Sequence, residues 1–227
     1  MPAVRRTSLS GKKKIMSTLD FKPFYRKHLP HIQPPGAILF VTYRLADSLP
    51  RHIIQQLLDE RDAIEKQIAA LPDVQRKAER YQAHKRLFAK WDRHLDRADS
   101  GPMWLRETAV AQLVTNSLHH LDGKQYDLDC YCIMSNHAHV VFQPLLGKDG
   151  RYFALARIMH SLKGYPATEA NKVLGRNGRF WQEESYDHIV RDEAELNRIR
   201  QYVLYNPVKA GLVDDPADWP WSYCKFW

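Results

Sequence analysis

The sequence predicts an α+β sandwich of the ferredoxin-like type, an antiparallel sheet with helices packed on it in the order βαββαβ. Three observations predict it. Two β-rich runs, 126–133 and 137–143, are separated only by Met134-Ser135-Asn136, which reads as an antiparallel hairpin. A third such run, 38–45, comes before the long helical stretches, and a fourth, 179–190, follows a further one. The 227 residues, 44% hydrophobic and 26% charged, suit one elaborated domain that can bury a core without disulfide staples.

Taken in order, Ile38-Leu-Phe-Val-Thr-Tyr-Arg-Leu45 is β-branched and aromatic, and Pro34, Pro35 and Gly36 punctuate its start. Ser48 and Pro50 read as an N-cap region and an early helical position. Ile53, Ile54, Leu57, Leu58, Ile64 and Ile68 then recur at helical spacing until Pro72-Asp73. Val74, Ala78, Tyr81, Phe88, Trp91 and Leu95 form a second stripe that ends before Ser100-Gly101. The pair reads as a helical hairpin, charged on its outer faces and longer than a minimal core needs. A third helix covers about 104–120, and residues 152–163 read as a fourth. Gly175, Asn177 and Gly178 mark a loop. Asp192 opens a last helix with Leu196, Ile199, Tyr202 and Val203 on one stripe, and Pro207 ends it. The aromatic tail, with Trp219, Trp221, Tyr223 and Phe226, is expected to pack on the body. Residues 1–20 are expected to form a disordered basic arm, 21–223 a single domain with the hairpin inserted at 50–98, and 224–227 a tail.

The net charge of +8 is concentrated near the N-terminus: residues 1–50 carry nine Lys/Arg against two acids. A basic arm is the usual footprint of a nucleic-acid binder, and also of a solubilising tail. No apolar run approaches the roughly 18 residues of a membrane helix, and no apolar segment follows the basic start as in a secretory signal. Cys130, Cys132 and Cys224 make no disulfide framework, which suits a reducing, cytoplasmic interior.

The sharpest chemical feature is His137-Ala138-His139. On a strand, residues two apart share a face, so both imidazoles can converge on one ion. A pair of hydrogen-bonded histidines is the bland alternative. The second feature is Tyr202 with Asn206, one helical turn apart. An amide oxygen suits Mg²⁺ or Mn²⁺, and a tyrosine beside a metal becomes a usable nucleophile. The alternative is a tyrosine packed beside Leu196 and Ile199, with Asn206 capping the helix. Tyr186, in Glu-Glu-Ser-Tyr-Asp-His, and Tyr205 are the competing tyrosines, and Glu183 or Glu184 could offer the metal a carboxylate.

The His-x-His strand followed by a tyrosine helix running into Tyr-x-x-x-Asn-Pro-Val-Lys-Ala-Gly-Leu-Val resembles the HUH single-tyrosine transposases. The likeness is greatest to the branch associated with repetitive extragenic palindromes, the REP-associated tyrosine transposases. Arg-Lys-His-Leu-Pro-His-Ile-Gln-Pro-Pro-Gly at 26–36 and Trp-Pro-Trp-Ser at 219–222 also look familial, so the resemblance covers roughly 21–223. It implies a nuclease that cuts single-stranded or palindromic hairpin DNA, joining tyrosine to the 5′ phosphate and freeing a 3′ hydroxyl. It implies His137, His139 and Asn206 as ligands of Mg²⁺ or Mn²⁺ and Tyr202 as nucleophile. Ala138 is smaller than the residue usually found between the two histidines, and altered packing is expected there. Expected DNA contacts are Arg26, Lys27, Arg44, Lys163, Arg176, Arg179 and Lys209; the 176–179 loop reads equally as a solvated turn, and Trp181 and Tyr152 suit either base stacking or a place in the core. A DNA-binding protein of the same fold without chemistry is the second reading, and a water-using metal hydrolase the third. Oligomeric state is not legible.

Overall fold

The computed structural model describes residues 24–26, 30–32 and 34–226. The basic arm 1–20 and Lys27 lie outside the described residues. Strands β1 (Phe24–Arg26) and β2 (Pro30–Ile32) pair antiparallel with each other. Then follow β3 (Leu39–Arg44), α1 (Arg51–Ala69), α2 (Asp73–Arg97) and a 3₁₀ turn at Trp104–Arg106. Next come α3 (Thr108–Leu121), β4 (Tyr126–Ile133), β5 (His137–Pro144) and α4 (Leu155–Val173). The chain closes with β6 (Tyr186–Ile189), α5 (Glu193–Leu204), α6 (Asn206–Lys209), a 3₁₀ turn at Pro216–Asp218 and β7 (Ser222–Cys224).

Five strands form one sheet in the order β6-β3-β5-β4-β7, every neighbouring pair antiparallel. The first four are arranged as in a ferredoxin-like sandwich, with the first and third strands of the core at its centre. The strand alternation gives the sheet two faces. Leu39, Val41, Tyr43, Ala138, Val140, Phe142, Leu128 and Ile133 pack with α3 and α4 in the larger core. Phe40, Cys130, Cys132 and Val141 turn the other way, toward Leu196 and Val203 of α5. In β4 the alternation changes phase, because the register shifts between Leu128 and Cys130. That bulge leaves Asp129 without a partner on β5 and sends Cys130 to the α5 face.

Several expectations are adjusted. Ser48 does not cap α1; Pro50 precedes the helix with no side-chain cap, and Ser48 Oγ instead accepts from Arg44 Nη1 at 3.1 Å. Val74 is 93% exposed, so the inward stripe of α2 starts later, at Tyr81 and Ala83. Helix α4 runs ten residues past 163, through Gly164 and the buried Pro166, because Ala170 and its neighbours pack into the larger core. Strand β6 is confined to Tyr186–Ile189. The last helix stops at Leu204, and Pro207 lies in the first turn of α6, where its missing N–H costs nothing. Asp192 caps α5 as expected, accepting from Glu195 N–H at 2.7 Å. The tail adds the unforeseen edge strand β7. Near the base of the helical hairpin, Gly101 has φ +78°, and a Cβ there would lie 2.3 Å from the Asp47 carbonyl oxygen. Only glycine lets the chain leaving α2 pass so close to the turn that leads into α1.

Candidate active site

β5 is a central strand, and His137 and His139 project from its α5-facing side. Both are 0% exposed. Their Nε2 atoms are 3.0 Å apart, and each ring is held from behind. Thr42 Oγ, on the paired strand β3, is 2.7 Å from His139 Nδ1. Asn136 Oδ1 is 2.7 Å from His137 Nδ1, while Asn136 Nδ2 donates to the Leu95 carbonyl at 3.1 Å. A carbonyl only accepts, so the amide group of Asn136 must face Leu95 and its oxygen must face His137. The proton of neutral His137 therefore sits on Nδ1, leaving a lone pair on Nε2. Burial pushes His137 down to about 3 and His139 well below the ordinary imidazole value, so both are neutral donors.

The two histidines do not stand alone. Asp92 and Asp96, one turn apart on α2, reach the same point. Asp92 Oδ1 is 3.4 Å from His139 Nε2 and 4.0 Å from His137 Nε2; Asp96 Oδ1 is 3.7 Å from His137 Nε2. One donor atom from each of the four residues falls within 4.8 Å of the others. Glu183 and Glu184 are not part of this group. Burial raises Asp92 well above the usual carboxylate range, helped by the charge of Asp96, and burial lifts Asp96 to about 6. Lys209 Nζ lies 3.9 Å from Asp96 Oδ2 and 4.7 Å from the Tyr202 ring centre, joining the acidic side of the site to the tyrosine.

Tyr202 projects from α5 toward the same place, its ring centre 5.6 Å from that of His139 and 6.1 Å from that of Phe40. Asn206 begins α6 and is 0% exposed. The backbone between them stays helical at Tyr205 (φ −83°, ψ 0°), so the two side chains keep their one-turn relationship across the helix break. Arg200 fixes α5 on the sheet through two contacts to Asp129, Nε to Oδ1 at 2.7 Å and Nη2 to Oδ2 at 2.5 Å. The β-bulge that leaves Asp129 unpaired on β5 thus helps place the tyrosine helix.

Ten buried side-chain polar atoms have no hydrogen-bond partner among the described residues, and five of them belong to Asp92, Asp96, Tyr202 and Asn206. A buried polar group left unsatisfied costs about 1–3 kcal/mol. Those of Asp92 and Asp96 sit beside two inward-facing imidazoles, and this group fits a divalent cation: nitrogen and oxygen donors, two of them acidic, with hydrogen-bonded supports behind the imidazoles. Two cavities flank the group. One, of about 340 Å³, lies between the hairpin and the β3–β6 edge and is lined by Thr42, Leu57, Phe88, Trp91, Asp92 and Tyr186 among others. The other, about 70 Å³, reaches Asp96, Asn136 and His137.

The competing tyrosines are placed differently. Tyr186 is stacked on Phe88 with ring centres 4.1 Å apart, and burial pushes its hydroxyl up. Tyr205 is exposed. Of the expected DNA contacts, Arg44 is buried beside the Trp91 ring, and burial lowers it to about 10. Lys163 donates to the carbonyls of Gln182 and Glu183. Arg176 binds Asn171 and lies 3.7 Å from the Trp104 ring centre. Arg179 is exposed on the loop, and Lys209 faces the site. For Trp181 the core alternative holds: it is 5% exposed and packs edge-on to Tyr43 in the larger core. Tyr152 approaches Gly36. Arg26 lies in β1, and its side chain is outside the described set.

No protein-family profile matches the chain. A curated relative from Haemophilus influenzae, named a putative REP-associated tyrosine transposase, is 29% identical over 96 residues, which are 40% of this chain and 54% of that protein. The matched stretch thus spans about half of the relative's length. A solved structure, described as a REP-associated tyrosine transposase bound to a REP hairpin, superposes with a TM-score of 0.50 at 15% identity. It covers 87% of this chain and 80% of the other, and the likeness is one of fold. The curated relative supports the resemblance read from the motifs, and the solved structure supports the fold. Among the described residues no helix is long and apolar enough to cross a membrane.

Proposed function

We propose that this chain is a REP-associated tyrosine transposase: a metal-assisted enzyme that nicks and rejoins single-stranded DNA beside a palindromic hairpin. The observation that supports this most is the convergence of three strand and helix positions: the His137 and His139 Nε2 atoms 3.0 Å apart, with Tyr202 next to His139. Two imidazoles held neutral and aimed at one point serve a cation, and the tyrosine beside them serves a phosphate. The relative and the solved neighbour agree with that reading.

In this mechanism Tyr202 Oη attacks the scissile phosphorus. A bond forms between the phenolic oxygen and the 5′ phosphate, and the bond from phosphorus to the 3′ oxygen breaks. The phenol gives up its proton, and the departing 3′ oxygen takes one up. Lys209, close to the Tyr202 ring, favours the negative charge that grows on the phenolic oxygen. Mg²⁺ or Mn²⁺ held by His137 and His139, with Asn206 as the oxygen ligand expected from the sequence, would polarise the phosphate oxygens. Thr42 and Asn136 hold the imidazoles in their productive orientation. A 3′ hydroxyl presented to the phosphotyrosine reverses the sequence and rejoins a strand. The exposed Arg179, with Arg26 and Lys27 in the basic N-terminal region, would bind the DNA backbone in a salt-dependent way.

The test is incubation of wild type and Tyr202→Phe with labelled single-stranded hairpin DNA, in Mg²⁺ or EDTA, on a denaturing protein gel. A Mg²⁺-dependent covalent band in wild type that is absent from Tyr202→Phe is expected. Salt-sensitive binding without an adduct in any metal would instead establish a DNA-binding protein.

A further inference from the structure

We infer that Asp92 and Asp96 are ligands of the divalent ion, so that the helical hairpin is a working part of the metal centre and the ion clamps it onto the reactive face. The inference rests on the metal site proposed above and goes beyond its histidines and asparagine.

Donor atoms around an ion at about 2.0–2.2 Å stand roughly 3–4.4 Å from one another. Of the six separations among the four donor atoms, four are 3.0, 3.4, 3.7 and 4.0 Å, and all lie within 4.8 Å. They form a compact set around a common centre. The imidazoles can share a hydrogen bond, but the aspartates stand outside it: their oxygens lie 3.7 and 4.0 Å from His137 Nε2, beyond hydrogen-bond reach. The tautomer fixed by Asn136 gives His137 Nε2 a lone pair, and the Asp96 oxygen nearest it has no donor among the described residues. Asp92 is 2% exposed, and its Oδ1 also has no donor. Two carboxyl groups and two imidazoles gathered at one point suit a cation between them. Two carboxylates also match the charge of a divalent ion.

The same helix does a second task. Leu95, between the two aspartates, offers the carbonyl that orients Asn136 and hence His137. A further contact on α2 holds its outer part against α5: the Tyr81 hydroxyl donates to Glu195, which also interacts with His188 Nε2 at 3.1 Å. Polar ties thus join α2 to the body near both its ends, with Phe88 stacked on Tyr186 between them, and only the inner tie would involve the ion. Binding of the ion and docking of α2 must then be linked: each favours the other by the same free energy.

The experiment titrates Mn²⁺ by EPR into the full chain as wild type, Asp92→Asn, Asp96→Asn, the double variant, Asn206→Ala and His139→Ala. Amide hydrogen exchange across α2 is measured with and without Mn²⁺. The Asn substitutions keep shape and remove buried charge, and thermal melts check folding. The expected result is a loss of Mn²⁺ affinity of about tenfold or more in each Asp variant, with Mn²⁺-dependent protection of α2 in wild type that the double variant lacks. The inference is overturned, with the metal site intact, if the double variant binds Mn²⁺ like wild type while His139→Ala does not. It is equally overturned if Mn²⁺ leaves α2 exchange in wild type unchanged. Failure of wild type to bind Mn²⁺ at all would sink the metal reading itself.

Discussion

On one face of the sheet, Val41, Val140, Leu128 and Ile133 meet α3 and α4 in a closely packed apolar layer. On the other, Thr42, His137 and His139 meet α2 and α5 around buried polar atoms that lack partners. The same strands supply both, through alternate residues. Ala138 points into the apolar layer while its neighbours on either side hold the imidazoles. The first face stabilises the molecule, and the second spends some of that stability on polar groups arranged for another purpose. Substitutions on the two faces should therefore separate: stability on one, chemistry on the other.

The largest separation is expected from His139→Ala and Tyr202→Phe. Either should reduce DNA adduct to background while the folded fraction seen by circular dichroism stays near that of wild type. Leu128→Ala tests the opposite face. It removes a fully buried side chain and should cost about 2–5 kcal/mol, seen as a lower midpoint in urea. The molecules that remain folded should still form adduct at the wild-type rate. If Leu128→Ala abolished chemistry without loss of stability, the division between faces would fail.

A smaller effect is expected behind the histidines. Thr42→Val keeps the shape but removes the oxygen 2.7 Å from His139 Nδ1. Mn²⁺ affinity should fall about 10–100-fold with little change in melting temperature. Unaltered affinity would mean that the ring is held by packing alone.

The smallest concerns the outer tie of the hairpin and pH. Burial pushes His188 below the ordinary imidazole value, despite the pull of Glu195. Burial alone would raise Glu195, but hydrogen bonds from Tyr81, the Arg191 N–H and His188 outweigh it and leave the carboxyl low. Both groups take up a proton less readily folded than unfolded. Their contribution is therefore full above the ordinary imidazole value of 6.5. It declines as pH falls through that value, and then again as pH falls through the carboxylate range. Hydrogen exchange in α2, in EDTA, should quicken over that descent beyond its intrinsic pH dependence. In Glu195→Gln the lower part of the change should disappear.

The comparison also shows what a sequence discloses. The histidines were legible because the period of a strand is two and nothing in their neighbourhood breaks it. Tyr202 and Asn206 were legible because one helical turn separates them, and the break at Tyr205 leaves the backbone helical. Asp92 and Asp96 were not. They sit in α2 among many charged residues, and an Asp one turn from another reads as part of a solvated face until both carboxylates are seen beside the histidines of β5. The bulge at Asp129 was hidden for a related reason: a shift of one residue leaves composition unchanged while it reverses which side chains face α5. Trp181 shows the limit for aromatics, since a ring suited to stack on a base is equally suited to fill the space beside Tyr43. In each case the missing information was tertiary, a matter of which surface docks where.

The central claim is that the polar face is the reactive one and that Tyr202 is its nucleophile. Its most direct test is to trap the covalent complex with single-stranded hairpin DNA, digest both components, and locate the phosphonucleotide by tandem mass spectrometry. The account expects the modification on Tyr202, in a peptide also containing Val203 and Leu204. A modification on Tyr186, Tyr205 or any other residue would contradict it.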